Sequence, residues 1–110
     1  MNNRFKFRAW DPVRKIMIRD ISIIIKSDVM MQCTGLRDVN AALLYECDLV
    51  KFTTGTICNL HKIIWNTPDK GGYAAWALED IKTKEVKYLG NGSHCLHVQG
   101  NIYEHAELMK

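Results

Sequence analysis

Cysteine and histidine residues that lie close together in the sequence are the first candidates for chemistry, because thiolate and imidazole groups bind zinc. Cys58 and His61 are separated by two residues, and His94, Cys95 and His97 form a second group. A zinc site needs four such ligands in a tetrahedron. His94 and Cys95 are neighbours, however, and neighbouring residues on a strand point to opposite faces. The simpler interpretation is a set of alternating strand residues with one buried thiol, so we predict no metal and no cofactor.

Catalytic constellations of other kinds are weak in this sequence. The four cysteines and four histidines form many pairs by chance, and none lies in a recognisable nucleophile signature. Glu46 and Asp48 alternate where a strand begins, and a solvated sheet edge explains them without catalysis. The glycine-containing segments Gly71-Gly72 and Gly90-Asn91-Gly92 lack the lysine spacing of a phosphate-binding loop. We therefore predict a protein that is not an enzyme.

The N-terminal segment is the strongest candidate for a binding surface. Residues 1–19 contain six basic residues and one acidic residue, which gives this segment a net charge of +5. The candidate binding residues are Arg4, Lys6, Arg8, Trp10, Arg14 and Lys15. Strand alternation places the first four on one face, and a basic row that ends in an aromatic ring can follow a phosphate backbone and stack on a base. The alternative, which we favour, is an exposed strand whose cationic side chains discourage edge-to-edge pairing.

Length and composition set the class of protein. The chain has 110 residues, of which 47% are hydrophobic and 25% charged, and these values are typical of one globular domain with a single core, here residues 1–110. The formal net charge of +3 is too small to imply a nucleic-acid partner by itself. No apolar run reaches the roughly 20 residues of a membrane span, and the N-terminus has no signal-peptide pattern. We therefore expect free thiols in a reducing compartment and no membrane partner.

Short alternating segments separated by turn signals predict the elements that position these residues. The predicted strands are Arg4–Trp10, Ile16–Ile18, Ile21–Ile25, Val29–Cys33, Asp48–Thr53, Thr56–Trp65, Tyr73–Leu78, Glu85–Leu89 and His94–Val98. Asp38 is placed to cap a short helix over Val39–Leu44, although a loop fits equally well, and Ile102–Met109 is predicted as one or two turns of helix. The pattern predicts a mainly β fold, a small bent sheet or barrel of antiparallel hairpins with a minor short helix.

Four segments carry a resemblance to a known family. They are Phe5–Asp11, Met31–Asn40, Leu44–Val50 and Gly100–Leu108. The last three match the patterns MQ-TGL-D-N, IYEGDIV and GNIYENPEL, in that order, and the set resembles the YopX family of small proteins encoded by bacteriophages and prophages of Gram-positive bacteria. The resemblance implies a phage or prophage origin, a place in the cytoplasm of the bacterial host and self-assembly into an oligomer. It implies no established activity.

Two positions depart from the family patterns. Cys47 stands where the family has glycine, and Asn40-Ala41-Ala42-Leu43 replaces a typical Asn-Gly-Lys-Glu turn. If the first glycine serves a turn with positive φ, Cys47 must strain or reshape that turn. The loss of the second glycine disfavours a tight turn and favours a longer local helix.

Apolar residues on both faces of two strands predict self-association. Ile23-Ile24-Ile25 and Ile63-Ile64-Trp65 are runs of three apolar residues, so each run directs at least one side chain away from the face that its neighbours occupy. A second subunit, or the C-terminal segment folding back, would cover the outward side chains. We take Ile24, Ile64 and Trp65 as candidate interface residues.

The predicted function combines these observations. We expect a phage- or prophage-encoded accessory protein of unknown biochemical role, acting as a non-enzymatic, oligomeric protein-interaction module on a host or phage protein. The alternative is a nucleic-acid-binding module that uses the basic N-terminal hairpin from Arg4 to Arg19.

Overall fold

The protein folds into two antiparallel sheets. The computed structural model describes residues 7–19, 29–53, 59–67, 74–90 and 92–110. Within these residues the strands are β1 (Phe7–Asp11), β2 (Ile16–Ile18), β3 (Val29–Arg37), β4 (Leu43–Tyr45), β5 (Asp48–Phe52), β6 (His61–Asn66), β7 (Ala75–Asp80), β8 (Val86–Tyr88) and β9 (Leu96–Asn101). The prediction of a mainly β fold of antiparallel hairpins is confirmed.

The first sheet has the strand order β2-β1-β3-β4. Its first two strands form the predicted hairpin, in which Trp10 pairs with Met17. The side chain of Asp11 closes the turn by accepting hydrogen bonds from the backbone N–H groups of Val13 and Arg14, at 2.9 and 3.0 Å. This contact explains why the chain reverses directly after Asp11, because an aspartate can bond the backbone two and three residues ahead.

Strand β3 is longer than predicted. The sequence placed its end at Thr34-Gly35, whereas the strand continues to Arg37 with a shift in register between Cys33 and Arg37. Gly35 has a φ of 81°, a left-handed conformation that glycine adopts without steric cost. The glycine therefore makes a bulge that bends the strand without ending it.

Of the two interpretations of Val39–Leu44, the helix is not formed, and the chain instead makes a turn that leads into β4. The side chain of Asp38 closes a tight turn, because its Oδ1 accepts hydrogen bonds from the backbone N–H groups of Asn40 and Ala42, both at 2.9 Å. Ala41 occupies the left-handed region with a φ of 65°. The turn thus persists without the family's glycine, which corrects the expectation of a longer helix at this position.

The second sheet has the strand order β8-β7-β6-β5-β9 and holds most of the core. In its centre Ile63 on β6 pairs with Leu78 on β7. The core side chains are Leu44, Val50, Ile63, Leu78, Leu89 and Leu96. A two-residue turn, Glu46-Cys47, joins β4 of the first sheet to β5 of the second, so the chain passes between the sheets at this turn.

Two short 3-10 helices lie near the C-terminus. Gly92–Cys95 forms the first, so the last strand begins at Leu96 and not at the predicted His94. Ala106–Met109 forms the second, within the segment Ile102–Met109 that was predicted as one or two turns of helix. The predicted strand Ile21–Ile25 lies outside the described residues. No helix within the described part of the chain has the length and apolarity needed to cross a membrane.

Candidate functional site

An open cleft of about 530 Å³ lies between the two sheets, and we call it the arginine cleft. Its walls come from β1, from the segment between the end of β3 and the start of β5, and from β9 with the turn that follows it. Three arginines line it: Arg8, Arg19 and Arg37. Two sheets and five strands therefore contribute to one cationic concavity.

Arg8 lies at the base of the cleft in a buried ion pair. Its Nη2 donates to Asp48 Oδ1 at 2.7 Å and to the Glu46 carbonyl oxygen at 3.2 Å, and both charged side chains are 4% exposed. Its Nε is buried and has no hydrogen-bond partner among the described residues. Asp48 also accepts from the Tyr45 N–H at 2.8 Å. This pair ties β1 of the first sheet to the turn that leads into the second.

Tyr45 forms an aromatic surface among the arginines. The guanidinium carbon of Arg8 lies 4.7 Å from the ring centroid, and that of Arg19 lies 6.0 Å from it. Both distances are in the range of cation–π attraction. Burial raises the pKa of the Tyr45 hydroxyl above its ordinary value of 10.0, so the ring stays neutral at physiological pH. The ring therefore orients Arg8 and Arg19 without neutralising them.

Arg19 and Arg37 are the exposed cations of the cleft. Arg37 donates from Nη1 to the Ala41 carbonyl oxygen at 2.7 Å, which anchors one end of its guanidinium at the β3–β4 turn. A guanidinium carries five N–H donors, so this bond leaves donors for a ligand. Asp38, next in the chain, accepts from the Val98 N–H at 3.1 Å and so joins this turn to β9.

The opposite wall is the turn after β9, and Asn101 holds it in shape. Asn101 Oδ1 accepts from the N–H groups of Tyr103 and Glu104 at 3.0 and 2.8 Å, and its Nδ2 donates to Glu104 Oε1 at 2.8 Å. His105 Nδ1 accepts from the Asn101 N–H at 3.2 Å, which assigns the proton of the neutral ring to Nε2. A Cβ at Gly100 would lie 2.5 Å from His105 Nδ1, so glycine is needed for this close approach.

Cys47 adopts the left-handed conformation predicted for the glycine that it replaces. Its φ is 72°, and its N–H donates to the Ile63 carbonyl oxygen at 2.8 Å. The thiol is half-buried beside Tyr103, and burial raises the pKa of Cys47 above its ordinary value of 9.0. A raised pKa keeps the thiol protonated, and a protonated thiol is a poor nucleophile. The family pattern of glycine at this turn thus has a conformational cause.

Of the predicted basic face of the N-terminal strand, the described members Arg8 and Trp10 are not exposed. Arg8 is buried, and Trp10 is half-buried with its ring stacked on Tyr103 at a centroid distance of 5.5 Å. The correction has a physical reason, since Arg8 meets a buried carboxylate that lies forty residues further along the chain. Arg14 pairs with Asp11 at the hairpin turn, and Lys15 is exposed there. Arg4 and Lys6 lie outside the described residues.

The arginine cleft contains residues that sequence reasoning did not single out. These are Arg37, Tyr45 and His105, with Arg19 considered only as the end of the N-terminal hairpin. A signal for them was present, because Arg37, Tyr45 and His105 lie within the family-like segments Met31–Asn40, Leu44–Val50 and Gly100–Leu108. Charge density alone pointed instead to the N-terminus.

The residues considered for zinc are not gathered by the described part of the fold. His61 is buried, with Nδ1 2.9 Å from the Asn59 carbonyl oxygen and Nε2 3.8 Å from Asp80 Oδ2. His97 is exposed on β9. Cys58 and the side chain of His94 lie outside the described residues. Within those residues no three potential ligands form a cluster that could hold a metal ion.

Of the predicted interface residues, Ile64 and Trp65 can be located. Ile63 points into the core, Ile64 therefore lies on the opposite face of β6, and Trp65 is 48% exposed at the end of the strand. Trp65 pairs with Trp76, with the ring centroids 5.1 Å apart and the rings nearly perpendicular. Ile24 lies outside the described residues.

Comparisons with known proteins identify the family. The YopX protein family matches residues 19–110, so the chain belongs to this family. The crystal structure of protein EF1440 from Enterococcus faecalis is similar, with a TM-score of 0.63 and 22% sequence identity over 96% of this chain and 97% of that one. At this identity the likeness shows the fold. No curated protein matches the sequence. The predicted family is confirmed, and three of the four family-like segments lie within the matched residues.

Proposed function

We propose that this protein is a non-enzymatic accessory protein of phage or prophage origin, and that its arginine cleft binds an acidic segment of a partner protein. The observation that carries the proposal is the convergence of all four family-like segments on this cleft. Arg8, Arg37, Tyr45 and His105 each come from a different one of these segments, although they are far apart in the sequence. A surface assembled in this way is the best candidate for a shared binding role.

The charges of the cleft favour a partner with one or a few carboxylates. The planar forks of Arg19 and Arg37 match the geometry of a carboxylate, and both are exposed to receive one. The wall also contains Asp48, which Arg8 neutralises, and Glu104. A nucleic-acid track would need a longer series of phosphate contacts without a carboxylate among them. The mixed wall therefore supports an acidic peptide over a phosphate backbone.

A pair of charge-matched variants tests this proposal. Arg19→Gln/Arg37→Gln removes two positive charges from the cleft, and Arg14→Gln/Lys15→Gln removes two from the hairpin turn. Binding of a fluorescent, glutamate-rich peptide is measured by anisotropy, beside a single-stranded oligothymidylate of equal charge. The cleft variant should weaken peptide binding roughly tenfold, since two partly exposed ion pairs contribute about 1.4 kcal/mol together. The hairpin variant should bind the peptide like the wild type.

The same titrations contain the results that would contradict the proposal. Equal loss of peptide binding in both variants would show a response to net charge alone. The oligothymidylate could instead bind more tightly than the peptide, with a steep salt dependence that disappears in the hairpin variant. That result would favour the alternative of nucleic-acid binding by the N-terminal hairpin. Peptide binding that neither variant changes would place the interface elsewhere on the molecule.

Self-association is a second proposed property, and the exposure of Trp65 favours it. A tryptophan that is 48% exposed beside Trp76 leaves an aromatic surface that a second copy could cover. Ile64 lies on the other face of the same strand and is half-buried. Light scattering should give a mass above 12.7 kDa for the wild type and 12.7 kDa for Trp65→Lys. Val13→Lys, at the distant hairpin turn, is the matched control, and a wild-type mass of 12.7 kDa would reject the oligomer.

A further inference from the structure

A second cavity, of about 250 Å³, lies away from the arginine cleft and shares no lining residue with it. It is formed by β5, by the turn between β7 and β8, by the bulge in β9 and by the C-terminal turn. Three lysines line it, Lys51, Lys82 and Lys110, and we call it the lysine pocket. The volume is below the roughly 300–1,000 Å³ of pockets for drug-sized ligands, so it suits a small group.

The electrostatics of the lysine pocket are one-sided. Among the described residues its wall contains three lysines and no aspartate or glutamate. Elsewhere on the same sheet a lysine does have a partner, since Lys62 pairs with Glu79 at 3.4 Å. The ion pairs found among the described residues do not include Lys51, Lys82 or Lys110. Three like charges around one concavity repel each other, and an anion between them would relieve that repulsion.

Asp80 positions two parts of the wall without entering it. Its Oδ1 accepts from the backbone N–H of Lys82 at 2.8 Å, and its Oδ2 accepts from Asn59 Nδ2 at 2.9 Å. These bonds hold the β7–β8 turn against the segment before β6, so Lys82 starts from a fixed backbone. The negative charge of Asp80 offsets part of the positive field, and its oxygens are occupied by neutral donors. The Asn59 amide gives one N–H to Asp80, and its second N–H is a further donor in the wall.

We infer that the lysine pocket binds a phosphate group. Lysine binds phosphate as a compact point charge with three rotatable donors, and three of them can surround a tetrahedral anion from different sides. Leu60 and Leu108 add apolar wall beside the charges, which suits the carbon skeleton of a phosphate ester. The ester has two sources that share this chemistry, a small phosphorylated metabolite and the terminal phosphate of a nucleic acid. The inference is independent of the proposed function of the arginine cleft.

Nuclear magnetic resonance of the ¹⁵N-labelled protein tests the inference directly. Inorganic phosphate is added at constant ionic strength with chloride as the balancing anion, and the backbone amide shifts of Lys51, Lys82 and Gln99 are followed. We expect saturable shifts confined to the pocket. Lys51→Gln/Lys82→Gln should weaken the fitted affinity about fivefold or more, because two of the three charged contacts are removed. The charge-matched variant Arg14→Gln/Lys15→Gln, at the exposed β1–β2 hairpin turn, should leave the affinity unchanged.

Further probes distinguish the source of the phosphate. Glycerol 3-phosphate represents a small ester, and a short oligothymidylate with and without a 5′-phosphate represents a nucleic-acid end. Tighter binding of glycerol 3-phosphate supports the first source, and a preference for the 5′-phosphorylated oligonucleotide over its unphosphorylated form supports the second. Linear shifts that never saturate would overturn the inference. So would equal affinities in the two double variants.

Discussion

Replacement of Ala41 by glycine should stabilise the protein, although glycine normally weakens a folded chain. Ala41 has a φ of 65°, and the left-handed conformation costs an L-residue about 1–2 kcal/mol. Glycine escapes this cost but loses about 0.4–1 kcal/mol of additional backbone entropy on folding. The methyl group of Ala41 is exposed, so its removal sacrifices little burial. The balance is a net gain of about 0.5–1 kcal/mol in the free energy of unfolding.

Ala42→Gly is the matched control for this prediction. Ala42 is also exposed and belongs to the same turn, but it is not among the described residues with positive φ. Urea unfolding should show a higher midpoint for Ala41→Gly at unchanged slope, and thermal unfolding a rise of about 2–6 °C. Ala42→Gly should lose about 0.5–1 kcal/mol. Equal destabilisation by both glycines would refute the turn geometry.

Three further changes test the contacts around the arginine cleft. Arg8→Met leaves the buried carboxylate of Asp48 without its partner and should lower the free energy of unfolding in urea by about 3–5 kcal/mol. The double variant Arg8→Met/Asp48→Asn should recover more than half of this loss. No recovery would contradict the pairing of Arg8 with Asp48. Burial alone would raise the pKa of Asp38, but three backbone N–H groups lower it below 3.8. The stability that the Asp38 carboxylate contributes is therefore complete above pH 3.8, and it is lost as the pH falls through the lower pKa of Asp38 in the folded state. Asp38→Asn should reduce the loss of unfolding free energy at acid pH. An unchanged dependence of stability on pH would contradict the contribution of the Asp38 carboxylate. In Gly100→Ala the added methyl group would clash with the His105 ring, so thermal unfolding should show a loss of about 1–3 kcal/mol in the free energy of unfolding. An unchanged melting temperature would show that His105 moves aside freely.

The strands that could be predicted from the sequence are those with alternating patterns and clear turn residues. Asp48–Thr53 was predicted, and β5 is Asp48–Phe52. The β1–β2 hairpin followed from Asp11, whose side chain bonds the turn directly. These features depend on residues close in sequence, so local physics decides them.

The features that escaped prediction depend on single backbone conformations or on distant partners. Helix propensity at Ala41 was outweighed by the hydrogen bonds of Asp38, which close a turn in place of a helix. Arg8 has the residue type of a surface strand, and its burial becomes favourable only when Asp48 arrives from the other sheet. The pattern of charges along the chain does not show that Arg8 pairs with Asp48. The arginine cleft therefore lies next to the predicted basic N-terminal segment and not on it.

Glu104 and Asp48 are the acidic side chains among the described residues that line the arginine cleft, and Glu104 offers a gain-of-binding test. Arg8 already neutralises Asp48, so Glu104→Gln leaves Arg19 and Arg37 without an opposing acidic side chain among those residues. Glu104→Gln keeps the oxygen that accepts from Asn101 Nδ2 at 2.8 Å, and the turn should retain its shape. The glutamate-rich peptide should then bind about threefold more tightly at low salt, with the gain shrinking as salt screens the charges. Unchanged or weaker binding in anisotropy titrations would show that the peptide does not sense the field of this cleft.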